Sequence, residues 1–217
     1  MKSISSRQNP LVRTFRALAD DPDPTGERLL LDGAHLVRDA HEAEALFEVL
    51  VVAASRLRTD TEEAQIAEAL DAQGVEVIAA DQKAFAALSP VKSPSGIAAI
   101  VRRKVTAPTL MCEHPRAFVV AAVDVQDPGN VGALIRAAEA GGATGAFVCG
   151  TSASPFSWKA LRGSMGSALR LPIVAGMTTF LDCAAALLNV ALCLVLISLM
   201  RQIARAQATA PYQETFA

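Results

Sequence analysis

The chain has 217 residues, 52% of them hydrophobic and 19% charged, with a formal net charge of −2. That composition excludes wholesale disorder and suits one large domain or two small ones. With 20 basic against 22 acidic residues there is no global basic field, so nucleic-acid contact would have to come from local patches.

The N-terminal stretch "MKSISSRQNPLVR" has no apolar run and does not read as a signal peptide. "NPLVRTFRALAD" then predicts an amphipathic helix, with Asn9 placed to cap it and Pro10 at its first position. Next come a strand "RLLLDG", a helix "AHLVRDAHEA" and a buried strand "FEVLVVAA". "DTEEAQIAEALDAQG" has acids in its first turn and Gly74 past its end, as a helix should. A strand "VEVIAA", a short helix "DQKAFAALS" and a strand "GIAAIVRR" complete an α/β unit over residues 1–103. Residues 104–116 lose periodicity, contain two prolines and read as a linker.

A second alternation occupies 117–217. It runs strand "AFVVAAVD", helix "VGALIRAAEA", strand "TGAFVCG", helix "SWKALRGSMGSAL", strand "LPIVAG", helix "TFLDCAAALL" and strand "VALCLVLIS". The apolar run Ala184–Met200 is shorter than the roughly 20 residues of a spanning helix and is interrupted by Asn189, so a buried strand is expected rather than a membrane span. Cys112, Cys149, Cys183 and Cys193 form no CxxC pair and no Cys/His spacing. They read as buried, reduced thiols of a cytoplasmic protein, and no metal site is indicated.

The chemistry concentrates in "DVQDPGNVGALIRAAEAGGA", directly after the strand "FVVAAV". Asp127, Pro128 and Gly129 make a turn at the carboxyl end of a buried strand, where open parallel sheets bind ligands. Asn130 is placed to cap the helix that follows, and Gly141 with Gly142 ends it. Gly132 costs about 1 kcal/mol in a helix relative to alanine. It sits one turn before Arg136, where a missing side chain would let a substrate backbone approach. The plain structural reading is a capped helix whose Arg136 pairs with Glu139 or faces solvent. GxGxxG and Walker A sequences are absent, so neither a dinucleotide nor a P-loop phosphate site is indicated.

"DPGNVGALIRAAEAGGA" closely resembles the first motif of the SpoU-type (TrmH-like) RNA 2′-O-ribose methyltransferases of the SPOUT superfamily, approximately D-P-x-N-x-G-x-x-x-R-x-A-x-x-x-G. Asn130, Gly132 and Arg136 occupy its Asn, Gly and Arg positions. "SPFSWKALRGSMGSALRLPIV" resembles the family's next stretch, an R-A-S-x-G-A-type helix leading to an L-P strand, with Gly163 where alanine is usual. "ISSRQNPLVR" and "LLLDGAHLVRDA" resemble its N-terminal substrate-recognition domain, a small ribosomal-protein-like α/β fold. Together the likeness spans roughly residues 3–176. It implies transfer of a methyl group from S-adenosylmethionine to a ribose 2′-hydroxyl of rRNA or tRNA, by a homodimer whose C-terminal trefoil knot forms the cofactor pocket. Such a knot is an exception to the unthreaded-chain rule.

The catalytic assignments carried by the resemblance are Asn130, orienting the ribose or the loop, and Arg136, at the reacting hydroxyl. A guanidinium is a poor base at neutral pH, so Arg136 is expected to fix the phosphate and stabilise negative charge on the 2′-oxygen. Candidate RNA contacts are Arg7, Arg13, Arg16, Gly132, Arg162 and Ser164. Lys2 belongs to the first basic cluster, and Arg102, Arg103 and Lys104 form a second. Gly163 and Gly166 equally suit close helix–sheet packing. His35 and His41 read as surface residues, and Trp158 and Tyr212 do not advertise base stacking. The family's G-x-E-x-x-G loop and its I-P-M strand with S-L-N helix are not found intact, although Leu187–Gln202 has some likeness to the S-L-N helix. The expectation is a SPOUT domain that is C-terminally incomplete, an incomplete knot, and no assignable cofactor residue. The rival readings are a non-catalytic RNA-binding relative and a small-molecule α/β enzyme using the Asp127–Arg136 loop.

Overall fold

The computed structural model describes residues 2–177 except 59, 104, 106–110 and 112–115. The expected helix "TFLDCAAALL", the strand "VALCLVLIS", Lys104, Cys112, Cys183, Cys193, Tyr212 and nearly all of the proposed linker lie outside the described residues. Among the described residues, no helix is long and apolar enough to cross a membrane.

The first unit follows the chain order read from the sequence, with one strand added: β1 (Lys2–Ile4), α1 (Pro10–Asp20), β2 (Arg28–Asp32), α2 (Ala34–Glu42), β3 (Leu46–Ala53), α3 (Glu62–Ala72), β4 (Val77–Ala80), α4 (Gln82–Leu88) and β5 (Ile97–Arg102). The sheet order is β1-β4-β3-β5-β2. β1 and β3 flank β4 in parallel, whereas β5 runs antiparallel to both β3 and β2. Caps start the helices as their sequences suggest. Asn9 accepts from the Leu11 N–H at 2.9 Å, and Asp81 accepts from the Ala84 N–H at 2.6 Å.

Side-chain alternation splits this sheet into two apolar faces. Leu30, Val49, Val51, Ala98 and Ile100 point to the layer that holds α1 and α4. Leu29, Leu31, Leu50, Val52, Ile97 and Ala99 point the other way, and their core continues through α2 and α3 into Val131, Ile135, Phe156 and Leu161 of the second unit. The two halves therefore share one core.

The second unit comprises β6 (Val119–Val123), α5 (Pro128–Ala140), β7 (Gly145–Cys149), α6 (Trp158–Ser164), α7 (Ser167–Arg170) and β8 (Ile173–Met177). Its strands are all parallel in the order β6-β7-β8. Three expectations need correction. α5 begins three residues earlier than read, and its cap is Asp127, which accepts from the Asn130 N–H at 2.8 Å; Asn130 lies inside the first turn. The expected helix over "SWKALRGSMGSAL" is broken, because Met165 and Gly166 both adopt left-handed backbone angles, φ 48° and 81°. Met111, in the segment read as a linker, is fully buried against Phe147 and Cys149 and covers one face of β7.

α5 and α6 approach closely through small residues. A Cβ built on Gly132 would run into the Ala160 carbonyl oxygen, with the Ser164 nitrogen at 2.8 Å and the Gly163 carbonyl carbon at 2.9 Å. These are backbone atoms, which cannot step aside as a side chain can. Gly132→Ala is expected to destabilise the fold by about 1–3 kcal/mol, read as a lower urea midpoint at unchanged m.

Candidate active site

The carboxyl ends of β6 and β7 are laced together by short polar side chains. Asp124, at φ 57°, accepts from the Thr151 N–H at 2.9 Å and its hydroxyl at 3.0 Å. These bonds, led by the Thr151 N–H, hold the Asp124 carboxyl below the ordinary carboxylate range. Ser152 donates to the Cys149 carbonyl at 2.7 Å and accepts from the Val125 N–H at 3.0 Å. The loop preceding α5 is thus fixed before the helix starts.

On α5, Asn130 and Arg136 are both exposed. Arg136 does not pair with Glu139. Glu139 instead holds Arg170, with bonds of 2.8 and 2.9 Å from Nε and Nη2. Arg136 extends to Met165, donating from Nη1 to Sδ at 2.9 Å. A thioether is a weak acceptor without charge. Among the described residues, no carboxylate pairs with Arg136. Its charge remains available to an anion.

Met165 also lines a cavity of about 670 Å3 at the seam between the two units. Arg162, Asp32, Gly33, His35, Arg38, Asp39 and Ser95 lie on the same walls. Asp39 approaches Gly166 across the seam, and burial raises the Asp39 carboxyl against the pull of Arg170 and Arg38. His35 Nδ1 lies 2.7 Å from Arg38 Nη2. His41 packs edge-on to Phe47, with ring centroids 6.5 Å apart.

The structure sorts the remaining candidates. Arg162 is exposed on the cavity wall. Gly132 is buried under α6, so α6 fills the space expected for a substrate backbone. Ser164 is fully buried, donating to the Leu161 carbonyl at 2.7 Å and accepting from the Ala168 N–H at 3.3 Å. It closes the end of α6 and is no surface contact. Arg7, Arg13 and Arg16 are exposed, and Arg16 donates from Nε to the Ala87 carbonyl at 2.8 Å. Arg13 and Arg16 ride on α1, so they belong to the layer on the opposite sheet face from Arg136 and Arg162.

Arg102 and Arg103 of the second basic cluster are spent on the fold. Arg102 bonds Glu48 at 2.6 Å and Glu27 at 3.0 Å. Arg103 is buried, donates to the Gly26 carbonyl at 2.8 Å and stacks over Phe156 at 4.5 Å, joining the two units. Lys2 pairs with Glu76 at 2.5 Å.

Comparison with known proteins places this geometry. The SpoU rRNA methylase family matches residues 117–215, and the MRM3-like substrate binding domain matches residues 9–99. Residues 117–215 belong to the SpoU rRNA methylase family. The family match continues past residue 176 and takes in Leu187–Gln202. A Bacillus subtilis 23S rRNA (guanosine(2553)-2'-O)-methyltransferase, RlmP, is 29% identical over 182 residues, 80% of this chain and 65% of that protein. The human mitochondrial rRNA methyltransferase 3 is 26% identical over 68% of this chain and 34% of its own length. An rRNA methyltransferase from Sinorhizobium meliloti superposes with a TM-score of 0.66 at 29% identity, over 82% of this chain and 66% of that one. The chain thus spans just under two thirds of the first of these relatives and about one third of the second.

Sequence reasoning missed Met165. The one signal was a pair of glycines flanking it, Gly163 and Gly166, inside an otherwise helical pattern. It also missed Asp32, which was read only as the end of a strand.

The Glu139–Arg170 pair holds α5 to α7, and its bond to Arg170 is the leading cause that lowers the Glu139 carboxyl. A lowered carboxyl stabilises the fold above its unfolded-state range, and that contribution is lost as pH falls through the folded-state value. Glu139→Gln is therefore expected to melt below wild type at neutral pH by about 1 kcal/mol or less, since the pair is part-exposed. The gap should close in acid, as differential scanning fluorimetry across pH will read.

Proposed function

We propose that this protein methylates the ribose 2′-hydroxyl of an RNA, with the methyl group coming from S-adenosylmethionine. The observation that carries the reading is Arg136: an exposed guanidinium without a described carboxylate partner, on the family's motif helix, bonded to Met165, which lines a cavity between a substrate-recognition unit and the methylase unit. The relatives' names support the reaction, since RlmP is named a 23S rRNA 2'-O-methyltransferase and one Sinorhizobium meliloti structure holds AdoMet. The substrate class is ribosomal RNA in preference to transfer RNA, on the names of those relatives. We further propose a cytoplasmic homodimer, with half-exposed Phe118 before β6 and exposed Leu134 on α5 as apolar surface for the second copy.

At the strand ends where a cofactor would be met, Asp124 and Thr151 are bonded to each other, and Ser152 is bonded to the Val125 N–H and the Cys149 carbonyl. No described residue is assigned to hold the cofactor. What this chain's residues supply is orientation and charge. Asn130 presents its amide from the first turn of α5, close to the helix's positive end. Arg136 is placed to hold a phosphate oxygen and to stabilise the negative charge that grows on the 2′-oxygen as its proton leaves to solvent. Packing against Met165 keeps the guanidinium extended without neutralising it.

Two measurements test this. Arg136→Lys keeps the charge but not the planar fork. It should lower the methylation rate by about a hundredfold, the scale of one lost charge-stabilising donor, while RNA affinity stays within about twofold. Wild-type turnover would show that Arg136 only packs. Replacing Arg7, Arg13 and Arg16 together with alanine should weaken RNA binding and reduce the slope of log affinity against log salt by about 2, at roughly 0.7 per single-strand phosphate contact. An unchanged slope would remove these three residues from the RNA interface.

A further inference from the structure

The seam cavity contains a buried acceptor that the fold satisfies only weakly. Asp32 ends β2 and is 7% exposed. Its Oδ2 accepts from the Ser89 hydroxyl at 2.6 Å. Among the described residues its Oδ1 has only the Ser95 hydroxyl, at 3.3 Å, and that hydroxyl also lies 3.2 Å from the Ile97 carbonyl oxygen. A hydroxyl has one proton, and good O–H···O bonds are nearer 2.7–2.8 Å. When Ser95 donates to Ile97, Oδ1 is left without a donor on a cavity wall. Burial pushes the Asp32 carboxyl up, so the fold carries this charge at a cost, and Arg162 offsets part of it.

The charges around the cavity decide what would complete that bond. Its walls carry four carboxylates (Asp32, Asp39, Glu62, Glu63) against the guanidiniums Arg38 and Arg162, and Arg38 is already bonded to Glu62 at 2.6 Å. Such a wall repels a phosphate and attracts a neutral N–H donor. Leu36 and Met165 add apolar surface on which a flat group can lie. A neutral, planar, N–H-bearing group beside a ribose-directed arginine is a nucleobase.

We propose that this cavity receives an unstacked RNA base bearing an exocyclic amino group, whose N–H is accepted by Asp32 Oδ1. The proposal rests on reading the chain as an RNA-modifying protein, and it assigns Asp32 a specificity role distinct from the ribose chemistry at Arg136. Adenine, cytosine and guanine each carry such an amino group. Uracil offers only an N3–H flanked by two carbonyl oxygens, which the carboxylate wall disfavours. Met165 joins the two places, since it lines the cavity and receives Arg136.

The test is fluorescence anisotropy with the whole chain and four single-stranded RNA dodecamers: all-uridine, and all-uridine with one central adenosine, cytidine or guanosine. Wild type should bind at least one amino-bearing strand about tenfold more tightly than all-uridine, the scale of one hydrogen bond to a charged group. Asp32→Asn removes the charge at nearly constant volume and should reduce that preference to within about twofold. Ser93→Trp, at an exposed position on the cavity rim, should do the same by obstruction without touching Asp32, and it carries the test if the Asp32 variant does not fold. A preference that survives Ser93→Trp, or survives in a folded Asp32→Asn, overturns the proposal. Equal wild-type binding to all four strands overturns it while leaving the RNA reading in place. Absence of binding to every strand removes both.

Discussion

The structure depends on the close approach of α5 and α6. Gly132 of α5 lies against the backbone of Ala160, Gly163 and Ser164, and Gly163 lies 3.0 Å, measured from a built Cβ, from the Gly129 carbonyl oxygen. Helices packed through side chains of ordinary size sit 8–10 Å apart. Small residues allow a tighter approach, and that approach has consequences at both ends of α6. At its start, Phe156 and Leu161 reach the core of the first unit, where Phe156 also receives Arg103. At its end, the chain turns sharply through Met165 and Gly166. This turn exposes Met165 beside Arg136. The motif glycine shapes the site from below, without forming part of its surface.

The charges divide by the same logic. Arg28, Arg38, Arg102 and Arg170 are bound to glutamates, and Arg103 is buried over an aromatic ring. They hold strands and units in register, so their field is largely cancelled where it arises. Arg136 and Arg162 stay exposed near the seam, Arg7 in the turn before α1, and Arg13 and Arg16 on the far side of the sheet. A chain with net charge −2 can therefore present local positive points without a global basic field. Their placement on opposite sheet faces implies that one RNA touching all of them has to pass around the edge of the first unit.

Most elements were legible because their signals are local. Asn9 before Pro10, Thr61 before two acids and Asp81 before "QKAFAAL" mark helix starts by side-chain chemistry that needs no tertiary partner. The alternation that splits Leu29–Leu31 between two cores is likewise written in the strand itself. What was not legible depends on distant contacts. β1 has three residues and becomes a strand only because β4 offers its edge. Met111 resembles linker until β7 is present to bury it. Asp127 and Asn130 are both good caps by composition, and Pro128, favoured at the first helical position, decides for Asp127. Arg102 and Arg103 read as a basic patch because their partners, Glu27, Glu48 and Phe156, lie about fifty or more residues away.

The same distinction governs the site. Asn130 and Arg136 were found through a motif, that is, through chemistry repeated in a fixed local pattern. Asp32 belongs to no such pattern. Its interest appears only when Ser89, Ser95 and the wall of the second unit surround it and one oxygen is left with a shared, distant proton. A buried carboxylate that costs stability and joins no ion pair among the described residues is poorly explained by folding alone, because an apolar or amide side chain there would avoid the desolvation. Function is the remaining reason to keep a carboxylate at the mouth of a cavity. Under the proposed function, its position on the wall of the seam cavity that Met165 also lines makes the substrate the fitting donor.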